Sequence, residues 1–103
     1  MLFRSTYEIQ YTKAADRFFN SHEDVRGQYE AAINELLAGD HPEKVDVKRI
    51  KGKRGEYYRI KLGGYRVIYT VINGTIVVIS TLLAGSRGDV YKKMSGMKKQ
   101  LYE

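Results

Sequence analysis

The runs YYRIKL (57–62), YRVIYTVI (65–72) and TIVVISTLLAG (75–85) are rich in β-branched and aromatic residues, and the dipeptides GG (63–64) and NG (73–74) that divide them favour tight hairpins. This spacing predicts an antiparallel meander. With Gly63-Gly64 as a two-residue loop, Leu62 lies opposite Tyr65, Lys61 opposite Arg66, Ile60 opposite Val67 and Arg59 opposite Ile68. Directly opposed residues project to the same side of a sheet. One side then carries Tyr58, Ile60, Leu62, Tyr65, Val67, Tyr69 and Val71, an apolar set for helices to cover, and the other carries Arg59, Lys61 and Arg66. Continuing through a two-residue Asn73-Gly74 loop adds Ile76, Val78 and Leu82 to the apolar side and Val77, Ile79 and Thr81 to the basic one, with Thr81 opposite Arg66.

Working outward, Phe3, Ser5, Tyr7 and Ile9 alternate with Arg4, Thr6 and Glu8, the period of a half-buried strand. Thr12 can cap a short helix running through Phe19, with Ala15, Phe18 and Phe19 as its apolar side. Ser21 followed by Asp24 resembles a capping box, and Val25, Tyr29, Ala32, Ile33 and Leu36 fall at helical spacing, so a helix is predicted over 22–38 with Gly39 as its C′ residue. After a turn at Asp40-His41-Pro42, the basic stretch VDVKRIKGKRGE (45–56) reads as either a short strand or an irregular loop. Residues 89–100 read as a short C-terminal helix interrupted at Ser95-Gly96. The fold class is α+β: two N-terminal helices on a mainly antiparallel four-stranded sheet, in the order β-α-α-β-β-β with the short helix after it. At 103 residues there is room for one core, and 1–103 is read as a single domain.

The charge is uneven. Residues 1–43 hold 4 Lys/Arg against 8 Asp/Glu, net −4, while residues 44–103 hold 14 against 4, net +10. A basic C-terminal half points to a polyanion, because phosphate backbones are bound chiefly by Lys and Arg with release of counterions. Clustered cations on adjacent strands repel one another unless an anion relieves them, which favours a phosphate-binding role over a merely solvated surface. The candidate RNA-binding cations are Lys48, Arg49, Lys51, Lys53, Arg54 and Arg59. With no cysteine, disulfides and cysteine-zinc clusters are excluded; without a long apolar run or a signal-like leader, a cytoplasmic protein is expected.

Cleaving RNA without a metal needs a 2′-hydroxyl attacking the neighbouring phosphate, a proton acceptor, cations for the developing charge and an acid for the leaving 5′-oxygen. His22 and His41 both lie in the acidic half and read as surface residues, and no His/Asp/Glu set at metal-ligand spacing sits on the basic side, so neither a metal nor another cofactor is expected. The proton work then falls to Lys, Arg and Tyr. Lys61, flanked by Arg59 and Arg66, is the candidate general base, Arg66 the phosphate ligand, and Arg87 and Tyr91 follow the last strand within reach of them.

The run YYRIKLGGYRVIYTVINGTIVVISTLLAGSRGDVYKKM (57–94) resembles the C-terminal half of the RelE/ParE toxin superfamily, and the preceding β-α-α layout is similar too. The carrying motifs are the basic strand ending in IKL, the G-Y-R-V-I-Y strand at Gly64 to Tyr69, and G-x-R-x-x-V-Y at Gly85 to Tyr91. The resemblance implies a toxin of a type II toxin-antitoxin system, an endoribonuclease that cuts messenger RNA in the ribosomal A site and is neutralised by a RelB-like antitoxin. By it, Lys61 corresponds to a proton-transferring strand lysine, Arg66 to the phosphate-stabilising arginine, Arg87 to the arginine near the leaving group and Tyr91 to the C-terminal tyrosine. Arg59 stands where the best-known members carry lysine, and the Gly85–Tyr91 spacing is shorter than in some. ParE-like relatives share the fold but poison DNA gyrase. A non-catalytic RNA- or ribosome-binding module is a third reading.

Overall fold

The computed structural model describes residues 7–52 and 55–102, with residues 95–102 described by their backbone alone. Strand β1 (Tyr7–Tyr11) is followed by helices α1 (Lys13–Asn20) and α2 (Glu23–Ala38), a 3-10 turn (Pro42–Lys44), strands β2 (Val47–Gly52), β3 (Gly55–Leu62), β4 (Tyr65–Asn73) and β5 (Val77–Ser86), and helix α3 (Arg87–Tyr102). The strands form one sheet in the order β1-β5-β4-β3-β2, antiparallel except where β1 runs parallel to β5. The expected four strands are present. A fifth, β2, resolves the ambiguous basic stretch: its carbonyls and amides pair with β3 from Val47↔Ile60 to Gly52↔Gly55. Within β1, Tyr7, Ile9 and Tyr11 face the core as their alternation predicts, while Phe3 and Ser5 lie outside the described residues.

Thr12 caps α1, its Oγ1 accepting from Ala15 N–H at 3.2 Å and donating to Leu82 O at 2.8 Å. One hydroxyl thus ties the helix start to β5. Ser21 does not cap α2: it closes α1, with its hydroxyl donating to the Phe18 carbonyl, and His22 takes the N-cap position of α2 with no side-chain cap bond. Gly39 ends α2 in extended rather than left-handed backbone (φ −87°), so its lack of a side chain matters for another reason. The Glu35 carboxylate folds back against its Cα to accept His41 N–H, and a Cβ there would collide with it.

The Gly63-Gly64 hairpin has the predicted register, Lys61↔Arg66 included, and Gly63 takes the left-handed φ of +62° that such a turn requires. The next hairpin differs. Its loop is Gly74–Ile76, three residues rather than two, so Asn73 pairs with Val77 and Tyr69 with Thr81. That odd residue turns β5 over: Val77, Ile79 and Thr81 point under α1 and α2, not to the basic side, and Val78 points away from them. Fully buried Thr81 is fixed there by a 2.7 Å hydrogen bond with the Tyr29 hydroxyl. A bulge at Leu82 then turns the strand back, pairing Val67 with Ala84 and Arg66 with Gly85 in place of Thr81.

The main core, Ala15, Phe19, Val25, Tyr29, Ile33, Ile60, Val67, Tyr69 and Ile79, fills the space between α1, α2 and one side of the sheet. Aromatic side chains pack it edge-on and stacked, as with Tyr11 and Tyr29 against Phe19. The other side carries a smaller core. There Val90 and Met94 of α3 lie on Ile68, flanked by Ile50, Tyr57, Leu82 and Leu83. Helix α3 runs unbroken across Ser95-Gly96, longer than the short interrupted helix expected.

Candidate nucleic-acid site

The register places the cations of the second side in two lateral rows. Lys48, Arg59, Ile68 and Leu83 align across β2, β3, β4 and β5, and Lys61, Arg66 and Gly85 form the row beside them. Of the candidate RNA-binding residues, Lys48 and Arg59 therefore share this side with Lys61 and Arg66. Arg49 and Lys51 project to the opposite side, where Arg49 meets Glu56 at 3.6 Å. Lys53 and Arg54 lie outside the described residues.

The Gly-Gly turn organises the rest. Its two carbonyls are used separately: Gly63 O accepts from Arg66 Nη1 at 2.9 Å, and Gly64 O accepts from Arg87 N–H at 3.1 Å, fixing the first residue of α3. Ser86 supplies the helix cap, its Oγ accepting from Asp89 N–H at 3.3 Å. Ser86 and Asp89 have the capping-box spacing, a legible signal that the sequence reading passed over. With Val90 and Met94 turned to the sheet, Arg87 and Tyr91 fall on one flank of the helix, beside the cationic rows, and the Arg87 guanidinium lies 5.3 Å from the centre of the Tyr91 ring.

Arg66 is only 7 % exposed, so a charged group has been taken largely out of water. Its Nη1 also donates to Tyr65 O at 3.0 Å, but its buried Nε has no hydrogen-bond partner. An unmet donor on a desolvated cation is costly and marks the one place here that an acceptor would stabilise most. The Tyr91 phenol is held below the ordinary tyrosine value, first by the neighbouring Arg66 guanidinium and then by the charges of Arg59 and Arg87, which together outweigh the opposing effect of its burial. Three of the predicted cations, Arg59, Arg66 and Arg87, thus act on the phenol of a fourth predicted residue. Lys61 is exposed next to them, its amide donating to Asp46 O at 2.9 Å.

Asp46 was not anticipated. Its carboxylate lies 3.2 Å from Arg59 Nη1, and the signal for it is an acid standing alone among the cations of residues 45–54. The histidines are elsewhere. His22 is stacked on Phe18 at 4.1 Å and edge-on to Tyr65 on the α1 side, half-buried rather than at the surface as expected, and exposed His41 pairs with Glu43. Among the described residues no group of three or more His, Cys, Asp or Glu is placed to hold a metal. A cavity of about 360 Å³ opens between α1 and α3, lined by Arg17, His22, Tyr65, Gly85 and Lys93. The cations lie in rows across neighbouring strands, an arrangement that an extended polyanion can follow.

A model of the ParE toxin of the type II toxin-antitoxin system parDE matches residues 7–88, which include Lys61, Arg66 and Arg87 but end before Tyr91. Among solved structures, a RelB-RelE antitoxin-toxin complex from Methanococcus jannaschii is similar, with a TM-score of 0.53 and 24 % identity over 82 % of this chain and 96 % of that one. That likeness bears on the fold. No curated protein matches the sequence.

Proposed function

This chain belongs to the ParE toxin family within the RelE/ParE superfamily of type II toxin-antitoxin toxins, and on that premise we propose that it is a metal-independent endoribonuclease that cuts messenger RNA, in the ribosomal A site, from its basic sheet face. The observation that carries this reading is the desolvated guanidinium of Arg66, its Nε unpartnered, on the side of the sheet it shares with Lys61 and Arg59. Such a cluster is prepared for negative charge before any arrives, which is how a site stabilises a phosphorane-like transition state without reorganising. The 2′-hydroxyl attacks the adjacent phosphorus and gives its proton to Lys61. Arg66 and Arg59 hold the equatorial oxygens. The bond to the 5′-oxygen breaks as that oxygen takes a proton from a water molecule, Arg87 stabilising its developing charge, and Tyr91 orients the reacting group. The products are a 2′,3′-cyclic phosphate and a 5′-hydroxyl.

The partner that neutralises it is a RelB-like antitoxin, supported by the assembly of the similar Methanococcus jannaschii toxin with its own antitoxin. Among the described residues no helix is long and apolar enough to cross a membrane, and the proposed site of action is cytoplasmic. A gyrase-poisoning toxin is the second reading, favoured by one observation: the matching family model is that of ParE. Incubating the protein with messenger RNA, with and without ribosomes, in EDTA at a level that leaves ribosomes intact, separates the two. Cleavage that leaves cyclic-phosphate ends is expected. Uncut RNA together with inhibited supercoiling by gyrase would replace the first reading by the second.

A further inference from the structure

Asp46 lies just before β2, held between the two cationic rows. Its backbone carbonyl takes the Lys61 amide at 2.9 Å and its carboxylate lies 3.2 Å from Arg59 Nη1. The Arg59 side chain is 15 % exposed and that of Asp46 57 %, so the guanidinium is held inward and the acid is the more open partner. Of the other acid in this stretch, Glu56, the carboxylate serves Arg49 on the opposite side of the sheet. On the basic side, then, Arg59 of one row already has an anion, and the buried Nε of Arg66 in the next row has none.

We propose that Asp46 is a specificity-determining residue: a carboxylate that occupies the anion position on Arg59 and yields it only to a nucleic-acid strand already engaged by Lys61 and Arg66. The inference rests on the nucleic-acid reading of the basic face. With its carboxylate open to solvent, the pair can be reached and displaced by a phosphate, yet it removes one cation from the field that any passing polyanion meets. A polyanion touching Arg59 alone must displace the carboxylate with nothing gained elsewhere. A strand laid along both rows gains contacts at Lys61 and Arg66 that offset the displacement. Asp46 thereby filters for strands that span the site.

The test is the binding of a short single-stranded RNA with 2′-O-methyl riboses, which cannot be cut, followed by fluorescence anisotropy across a salt series. Wild type, Asp46→Asn, Arg59→Ala and the double variant are compared, with Lys61→Ala and Arg66→Ala as controls for the site. Asp46→Asn is expected to bind about two- to fivefold tighter at low salt. Its plot of log Kd against log salt should steepen by about 0.7, the value for one more phosphate contact on a single strand. Both gains should vanish when Arg59 is also replaced, and Asp46→Glu should bind as wild type, which covers the case in which the Asn variant folds poorly. A gain that persists without Arg59 is a general charge effect and overturns the inference. No gain, in a protein whose affinity still falls on Lys61→Ala or Arg66→Ala, overturns it while leaving the nucleic-acid reading in place. Indifference of RNA binding to Lys61 and Arg66 removes both.

Discussion

The two sides of the sheet treat the same chemical group in opposite ways. On the α1/α2 side, burial raises the phenols: Tyr69 is pushed up to about 12, first by loss of water and then by neighbouring Tyr58, and Tyr29 higher still despite its bond with Thr81. On the basic side, the neighbouring Arg66 guanidinium, with the charges of Arg59 and Arg87, lowers Tyr91. On the first side the buried Tyr29 and Thr81 hydroxyls meet at 2.7 Å, whereas on the second the Arg66 Nε is left without a partner among the described residues. A fold stabilises itself by meeting its hydrogen bonds. A group left unmet beside three like charges has to be explained by something that is not part of the fold.

If that contrast is real, substitutions on the two sides should fail differently. Phe19→Ala, at a fully buried position, should cost about 3–5 kcal/mol, enough to lower the melting temperature and with it every activity. Its chemical denaturation midpoint measures this directly, and a loss below about 1 kcal/mol would mean that the main core is not where the packing puts it. Lys61→Ala, Arg66→Ala and Arg87→Ala should each slow single-turnover RNA cleavage about 100-fold or more. Lys61 and Arg87 are exposed, so their variants should melt near the wild-type temperature. Arg66 is buried and bound to the Gly63 and Tyr65 carbonyls, so its variant loses two hydrogen bonds while shedding the unmet Nε, and its stability need not follow the other two. Wild-type cleavage rates in all three would remove the proposed site.

The smallest effect is the most specific to the contrast. Unfolded tyrosine ionises near pH 10, and a folded-state value raised to about 12 for Tyr69 means that its contribution to stability is whole below about pH 10 and drains away as the pH rises through 12. Tyr91 carries the opposite sign, its phenolate being favoured in the folded protein, so it should ionise before Tyr11, Tyr29 and Tyr69. Ultraviolet difference titration of the native protein should show one early phenolate that Tyr91→Phe removes. An unchanged early titration in that variant would show that the guanidinium cluster does not act on Tyr91.

The parts legible from sequence were those set by local turn chemistry. Gly63-Gly64 admits one tight turn, so Lys61 opposite Arg66 followed from it, and with that pair the side on which the cations gather. Asn73-Gly74 has the same hairpin signature, but the loop takes in Ile76, and the bulge at Leu82 answers a hydrogen bond between Thr81 and Tyr29, 52 positions apart. A window of neighbours cannot contain that. Strand β2 stayed ambiguous because an edge strand bearing Lys48, Arg49 and Lys51 lacks the alternation of a half-buried one. Tyr91 entered the site by its position just after the last strand, and the resemblance then gave it a role. What places it is the amphipathic spacing of Val90 and Met94 with Ile68 beneath them, a contact between elements that neither declares alone.

The loop of Gly74–Ile76 and the bulge at Leu82 act like two parity bits in one message. Each adds a single unpaired residue and reverses every side chain that follows, and together they cancel, so that Gly85 arrives opposite Arg66 and α3 departs toward the basic side. Between the two inversions lie Val77, Ile79 and Thr81, the only stretch of β5 that the double reversal turns toward α1 and α2. Length changes at either position are therefore not interchangeable with ordinary loop variation. Losing one residue at the loop alone exchanges the strand's inner and outer sets, losing one at the bulge alone sends the C-terminal helix off the wrong side, and only a paired loss preserves the exit of α3, at the expense of the core.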